Sequence, residues 1–247
     1  MLPNQLVCRP EQAGAVAVLR INGTLDQLTG DALQQAIRLR LATGPSRLLL
    51  DVTEMRVGDP LGLAALSAAV CETAEWPNVP IVVCGADEHT RETVVEAPDC
   101  EGLEFSDDCD EAIAEGAAEP EPPRVHVRLR PVPDACRQVR TLVTQSCTAW
   151  QRGELAAIAA LIATELVANV VRHAHTTMEF TVTALRDGRL CMSVRDHSRR
   201  MPKPTEAAVT DAGGRGLRLV RDLTDAWGVL PVNDGKVVWT QLNAGPL

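Results

Sequence analysis

The sequence predicts two different modules in tandem: an α/β module with a mixed or largely parallel sheet over residues 1–115, and an α+β sandwich over 124–247. Three observations carry this reading. Strand-like and helix-like patterns alternate through the first half, which calls for a sheet flanked by helices. The second half places two helical stretches before strands joined by D-G hairpin signals, so its helices pack on one face of an antiparallel-leaning sheet. Between them, "EGAAEPEPPRVH" (115–126) concentrates Pro, Glu, Ala and Gly without periodicity, which sets a linker at 116–123.

In chain order the first module reads as strand "AVAVLRING", helix "LTGDALQQAIRLRLATG" closed by glycine, strand "SRLLLDVTEM", helix "LGLAALSAAVCETAEW", strand "VPIVVCG", a short helix near "TRETVVEA", strand "LEFSD" and helix "DDCDEAIAEG". The run "LLLDV" is apolar on both faces and suits the middle of the sheet. The second module reads as strand "RVHVRLR", helix "PDACRQVRTLVTQSCTAW" and long helix "GELAAIAALIATELVANVVRHA". A hairpin "MEFTVTALRDGRLCMSVRD", a loop, the glycine turn and helix of "GGRGLRLVRDLTDAW", and a closing hairpin "WGVLPVNDGKVVWTQL" follow. The two halves do not repeat each other.

At 247 residues each module can bury its own core. Apolar runs such as "LAAIAALIA" (155–163) fall short of the roughly 20 residues that span a bilayer, and "MLPNQLVCRPEQ" lacks a signal-peptide pattern; the expectation is a cytoplasmic protein without a membrane partner. Eight scattered cysteines form no C-x-x-C pair, which argues against zinc or a redox motif and for small core residues. Residues 1–123 hold 7 Arg and no Lys against 22 acidic residues, net −15, and 124–247 hold 17 basic against 11 acidic, net +6. The halves should attract each other. The modest positive charge, the lack of tyrosine and the single phenylalanine, Phe180, in the second half argue against direct binding of nucleic acid.

The stretch "TELVANVVRHA" (164–174) carries polar groups among small apolar ones. At 100° per residue Glu165, Asn169 and Arg172 share one stripe with His173 at its edge, while Leu166, Val167, Val170 and Val171 face away. Alone this is an amphipathic helix. Downstream, "SVRDHS" ends a strand at Asp196 and "GGRGL" (213–217) opens a helix. In this order the three segments resemble the nucleotide site of the GHKL (Bergerat-fold) ATPases, the family of gyrase, heat-shock chaperone and histidine-kinase ATP domains. "ELVANVVRHA" looks like its N box, "VRDHSRRMP" like a degenerate first glycine box and "GGRGLRLV" like the second. The anti-sigma factor serine kinase branch is similar in its "ELV-x-N-x-x-RH" helix, its "D-x-S" and its final "GK-x-V-W" strand, here "GKVVW" (235–239).

The resemblance implies ATP and Mg²⁺ as cofactors and assigns roles by position. Asn169 would offer an amide oxygen to Mg²⁺, an ion that keeps few protein ligands. Asp196 would accept from the exocyclic amine of adenine. Gly213, Gly214 and Gly216 would let backbone amides approach phosphates at the positive end of a helix beginning near Leu217, with Arg215 adding charge. Arg172 and His173, the "RH" of the motif, belong to the same ATP site; His173 and His175 lack metal-ligand spacing. Glu165 would act as general base on an attacking serine hydroxyl. Residues 197–213 read as a lid. His197 to Met201 replace the usual glycines, and Val237 stands where many relatives carry a threonine near the adenine.

The first module, with "LLLDVTEMRVGDPLGLAAL" (48–66), resembles a STAS domain, the fold of anti-sigma factor antagonists. There the segment usually reads "D-S-S-G-L", its first serine the phosphoryl acceptor. Asp59, Gly62 and Leu63 match, but Pro60 holds the acceptor position and has no hydroxyl; proline suits a first helical turn. Ser67 reads as structural. The resemblance implies phosphorylation of a serine on a separate STAS antagonist, control of a sigma factor and a homodimer, while Pro60 and the −15/+6 charge asymmetry predict a first module that docks on the second in cis or recruits partners. The alternative is an ATP-dependent binding switch without catalysis. A sensor histidine kinase needs an acceptor histidine on a preceding helix, and 134–150 contains none.

Overall fold

A computed structural model describes residues 6–59, 61–62, 64, 66–68, 79–95, 104–185, 187–201 and 215–243. The chain forms two compact units, 1–121 and 122–247.

The first unit is a mixed five-stranded sheet in the order β1-β2-β3-β4-β5, with β1 Leu6–Ala13, β2 Val16–Leu25, β3 Arg47–Val57, β4 Ile81–Cys84 and β5 Glu104–Ser106. Strands β1 and β2 form an antiparallel hairpin, and β2 through β5 run parallel. Its helices are α1 Gly30–Leu41, a helix after β3 seen at 61–62, 64 and 66–68, α2 Glu88–Val95 and α3 Cys109–Ala118. Strand β3 lies at the centre, and Leu48 to Val52 are buried without a break, as a strand covered on both faces requires. On one face Val16, Val18, Leu49, Val82 and Cys84 pack with Ala112 of α3; the alternate residues Ala17, Leu19, Leu50 and Val83 are equally buried.

Two departures from the sequence reading have clear causes. Strand β1 was not expected. Nothing in it is fully buried, so apolar alternation is missing, and Pro10 survives because β1 is an edge strand. Helix α3 runs through Ala118, into the linker expected at 116–123. Gly116 packs so closely on β2 that a Cβ there would stand 2.9 Å from Val16 Cγ2, and Glu119 pairs with Arg47 at 3.0 Å. These contacts hold the chain as helix where composition suggests a spacer.

The acidic Asp51 in β3 bonds Arg20 of β2, Nη1 to Oδ2 at 2.6 Å, and accepts from Thr53 N at 3.1 Å. Burial alone would raise its pKa, but donors from Thr53 and Cys109 and the Arg20 charge outweigh it and hold the carboxyl below the usual range. A depressed folded value stabilises the fold above the unfolded value of about 3.9 and loses that stabilisation as pH falls through the folded one. Arg20→Met is therefore expected to cost the first unit about 1 kcal/mol or less at pH 6, since the guanidinium is partly solvated, and progressively less below pH about 4. A gap in urea stability that stays constant to pH 3 contradicts this.

The second unit is a fully antiparallel sheet in the order β6-β7-β8-β10-β9, with β6 Arg124–Leu129, β7 Met178–Ala184, β8 Leu190–Asp196, β9 Ala226–Val232 and β10 Gly235–Leu242. Its helices are α4 Asp134–Ala149, α5 Ala156–Asn169 and α6 Arg215–Leu223. Phe180, Val182, Met192, Val194 and Val238 from one sheet face pack with Val139, Val143, Ile162, Leu166 and Val220 from the helices. The Asp187-Gly188 hairpin turns with Gly188 at φ +93°.

A short 3₁₀ turn, Gly153–Leu155, precedes α5 and a π turn, Val170–Ala174, follows it. An 18-residue window of the stretch 153–174 has mean hydropathy 1.8, and the stretch is long and apolar enough, by length and composition, to cross a membrane. That corrects the expectation that every apolar stretch falls short. Here it is the core helix, with Ala159, Ile162, Ala163, Leu166 and Val167 buried.

Cys84, Cys147 and Cys191 are buried and Cys8, Cys109 and Cys136 half-buried. Burial pushes the Cys191 thiol up to about 12 and Cys84 further. Cys71 and Cys100 lie outside the described residues.

Candidate functional site

Helix α5 positions the polar stripe because its other face is fully committed to the core. Leu166, Val167 and Val170 are buried, leaving Glu165 and Asn169, four residues apart, half-buried on one side. Into that side comes the first turn of α6. A Cβ at Gly216 would stand 2.6 Å from Glu165 Oε2 and 3.5 Å from Asn169 Oδ1, so only glycine allows this approach. A carboxylate, an amide oxygen and a helix N-terminus thus meet at one point. Helix α6 begins at Arg215, two residues earlier than expected, and Leu217 lies half-buried within it.

The helix does not end after Asn169. It loosens into the π turn, where His175 N donates to Val170 O at 2.9 Å, five residues back. His175 then takes a left-handed conformation at φ 56° and stops the helix. Arg172, within the π turn, reaches back so that Nη2 lies 3.7 Å from Glu165 Oε2. His173 is exposed, and nothing among the described residues ties it to the Glu165 group. On the adjoining helix, Arg140 Nε donates to Thr164 Oγ1 at 3.4 Å, bringing a further cation beside α5 that the motif did not name.

Asp196 closes β8, 2% exposed. Its Oδ1 accepts from Ser198 N at 2.7 Å, the "D-x-S" turn, and from Lys236 Nζ at 2.9 Å. Lys236 was not singled out in the sequence. The two residues stand opposite each other in the β8–β10 ladder, so the residue of the "GKVVW" strand that faces Asp196 is Lys236, and Val237 points to the other side of the sheet. Gly213, Gly214, the Arg215 side chain and most of the expected lid lie outside the described residues.

In the first unit, Asp59 Oδ1 accepts from Gly62 N at 2.8 Å and caps the helix after β3. A Cβ at Gly62 would stand 2.4 Å from Leu25 O, which accounts for the glycine. Ser67 is buried, consistent with a structural role. Pro60 and Leu63 lie outside the described residues.

Comparison with known families follows this division. Residues 129–242 match the histidine kinase-like ATPase domain, and residues 8–97 match the family described as "Mlab, STAS domain". The chain joins a STAS domain to a histidine kinase-like ATPase domain. No curated protein matches it. Among solved structures, an anti-sigma factor antagonist from Mycobacterium paratuberculosis is 23% identical over 46% of this chain and 95% of its own, with a TM-score of 0.39. The RsbU and RsbW domains of a Mycobacterium tuberculosis protein are 19% identical over 49% of this chain and 32% of theirs, TM-score 0.38. The histidine kinase domain of the blue-light activated histidine kinase of Erythrobacter litoralis is 18% identical over 42% of this chain and 64% of its own, TM-score 0.31.

The residues present in the ATPase domain fit a magnesium-chelated nucleotide. The space a Cβ at Gly216 would fill is bordered by an amide oxygen and a carboxylate oxygen, hard donors of the kind Mg²⁺ accepts. The α6 N-terminus supplies backbone amides for phosphate oxygens.

Proposed function

We propose that the chain is an ATP-binding regulator of the anti-sigma factor type, which transfers the γ-phosphoryl of ATP to a serine of a separate STAS-domain antagonist and so controls sigma-factor-dependent transcription. The observation that carries this is the approach of Gly216 to Glu165 and Asn169, which sets a base and a metal-type ligand at a phosphate-binding helix end.

In this reading Asn169 Oδ1 would hold Mg²⁺, and the first-turn amides of α6 would hold phosphate oxygens. Mg·ATP, when bound, would supply the phosphoryl group with its charge shielded, the bond to the β-phosphate oxygen breaking as ADP leaves. Glu165 Oε2 takes the proton of the serine hydroxyl, and Arg172, 3.7 Å away, orients that carboxylate. Asp196 lines the base end. Gly213, Gly214, Arg215 and His173 are assigned to the same site by motif position, and residues 197–213 to a lid.

The STAS domain has Pro60 where an acceptor serine would stand, so we assign it docking rather than chemistry. Its net charge of −15 over 1–123 against +6 over 124–247 supports contact with the ATPase domain in cis. A sigma factor and a second copy of the ATPase domain are the further partners of this reading, and the cytoplasm its compartment. Helix α4, Asp134–Ala149, contains no histidine, which disfavours a sensor histidine kinase.

Incubation with labelled Mg·ATP and a panel of serine-bearing STAS proteins tests the proposal. Label should appear on a partner and not on residues 1–121 of this chain. Nucleotide binding without any transfer assigns a binding switch instead; label on the chain's own STAS domain refutes the docking role.

A further inference from the structure

Cys84 and Cys109 stand 25 residues apart with no spacing to mark them as a pair, yet the fold of the first unit sets them side by side. Cys84 is the last residue of β4, and Cys109 is the first of α3. Because α3 follows β5, the strand paired with β4, and returns over the same sheet face, both side chains enter one cluster with Leu49, Val82 and Ala112. Of the described cysteines, these two alone hydrogen-bond each other.

Their surroundings are unequal. Cys84 is fully enclosed, and its Sγ donates to Leu50 O at 3.7 Å. Cys109 is half-buried, in the first turn of a helix capped by Asp108, with Thr53 Oγ1 3.8 Å from its sulfur. Burial raises both thiols and the Asp51 charge adds to that, but bonds from Cys84 and Thr53 pull Cys109 down while the same thiol–thiol bond pushes Cys84 further up. Cys109 is therefore the sulfur that gives up its proton first and the one a small oxidant can reach. Cys84 waits behind it, protonated and in contact.

We propose that Cys84 and Cys109 form a reversible redox pair, oxidised by a peroxide to a disulfide that pins the first turn of α3 to the end of β4. This lies beyond the nucleotide reading and rests only on the first unit.

In the first step the Cys109 sulfur attacks one oxygen of hydrogen peroxide, the O–O bond breaks, and the second oxygen takes up the thiol proton and leaves as water, which makes Cys109 a sulfenic acid. In the second, the Cys84 sulfur attacks the Cys109 sulfur; the S–O bond breaks, the S–S bond forms, and the hydroxyl leaves with the Cys84 proton as a second water. Two thiols lose one electron each, and one peroxide gains both. In a reducing compartment such a bridge is transient and signals an oxidant rather than holding the fold together. A module with Pro60 in place of an acceptor serine thereby keeps a covalent input that needs no hydroxyl.

Treating the intact chain with hydrogen peroxide, blocking free thiols with N-ethylmaleimide and mapping digested peptides by mass tests this. A peptide pair joined through Cys84 and Cys109, lighter by two hydrogens and released by dithiothreitol, should be the dominant disulfide. The same treatment in urea, with the fold gone, should scatter pairing among the eight cysteines. Two maleimide-labelled thiols at 84 and 109 after peroxide, a dominant bridge elsewhere, or equal yield of this bridge in the folded and unfolded chain overturns the proposal. Cys84→Ala gives a second readout: without the resolving thiol, Cys109 should stop at the sulfenic acid and be captured by dimedone. A folded variant with no dimedone adduct on Cys109 refutes the order of attack, and the wild-type map decides the pairing whether or not the variant folds.

Discussion

Glu165→Gln should abolish phosphoryl transfer while leaving nucleotide bound. The amide keeps the shape of the side chain against Gly216, where a Cβ would already stand only 2.6 Å from Oε2, so the local packing survives. It removes the group that accepts the serine proton. Loss of a positioned general base typically costs 10²- to 10⁴-fold in rate, and transfer to a STAS partner is expected to fall by about that factor. Binding should stay within about threefold, because Asn169 and the α6 amides hold the phosphates in this scheme. Transfer measured with labelled ATP, together with calorimetric binding, checks both halves. Undiminished transfer by the variant removes Glu165 from the chemistry. Lost binding would make it a structural support of the helix end.

Gly235→Ala should unfold the ATPase domain well below the wild-type temperature. The added methyl would lie 1.9 Å from Asp196 O and 2.8 Å from His197 Cα; both obstacles are backbone and cannot rotate aside. Relief requires β10 to move off β8, which strains the ladder and the buried Lys236–Asp196 pair together. Steric insertion of this kind costs about 1–3 kcal/mol or more, enough to lower Tm by roughly 5–15 °C in a domain of this size. Gly153→Ala is the matched control, since a Cβ there meets nothing within 4 Å, and its Tm should move by about 1–2 °C at most. Equal shifts in the two variants would show that the close approach carries no energetic weight.

Most of the architecture was legible because the buried faces are written as periodicity. Leu48 to Val52 signalled a central strand, and the helix to Asn169 showed a long apolar face broken only by the stripe that meets Gly216. Strand β1 was illegible because an edge strand with no buried residue has no pattern to show. The end of α3 was misread since Gly116 and Glu119 look like spacer residues until Val16 and Arg47 stand beside them. Spacing put Glu165 and Asn169 on one stripe, and only the resemblance to the GHKL motifs linked that stripe to Gly216, which the fold brings beside them. Lys236 was missed because its partner lies 40 residues away, and only the hairpin register sets the two face to face. A strand-end carboxylate and a strand-start lysine in neighbouring antiparallel strands are a pairing signal that register counting could have found.

The π turn at Val170–Ala174 carries one more residue per turn than an α-helix would use. This is therefore the place in the core helix where chain length is negotiable. Deleting Val170 or Val171 would let the helix run on regularly with its buried face intact up to Asn169. The guanidinium of Arg172 would swing about 100° around the axis and forsake Glu165. A shortening of that kind disconnects a cation from the carboxylate without touching either side chain, so the spare residue acts as a spacer that keeps the two in register.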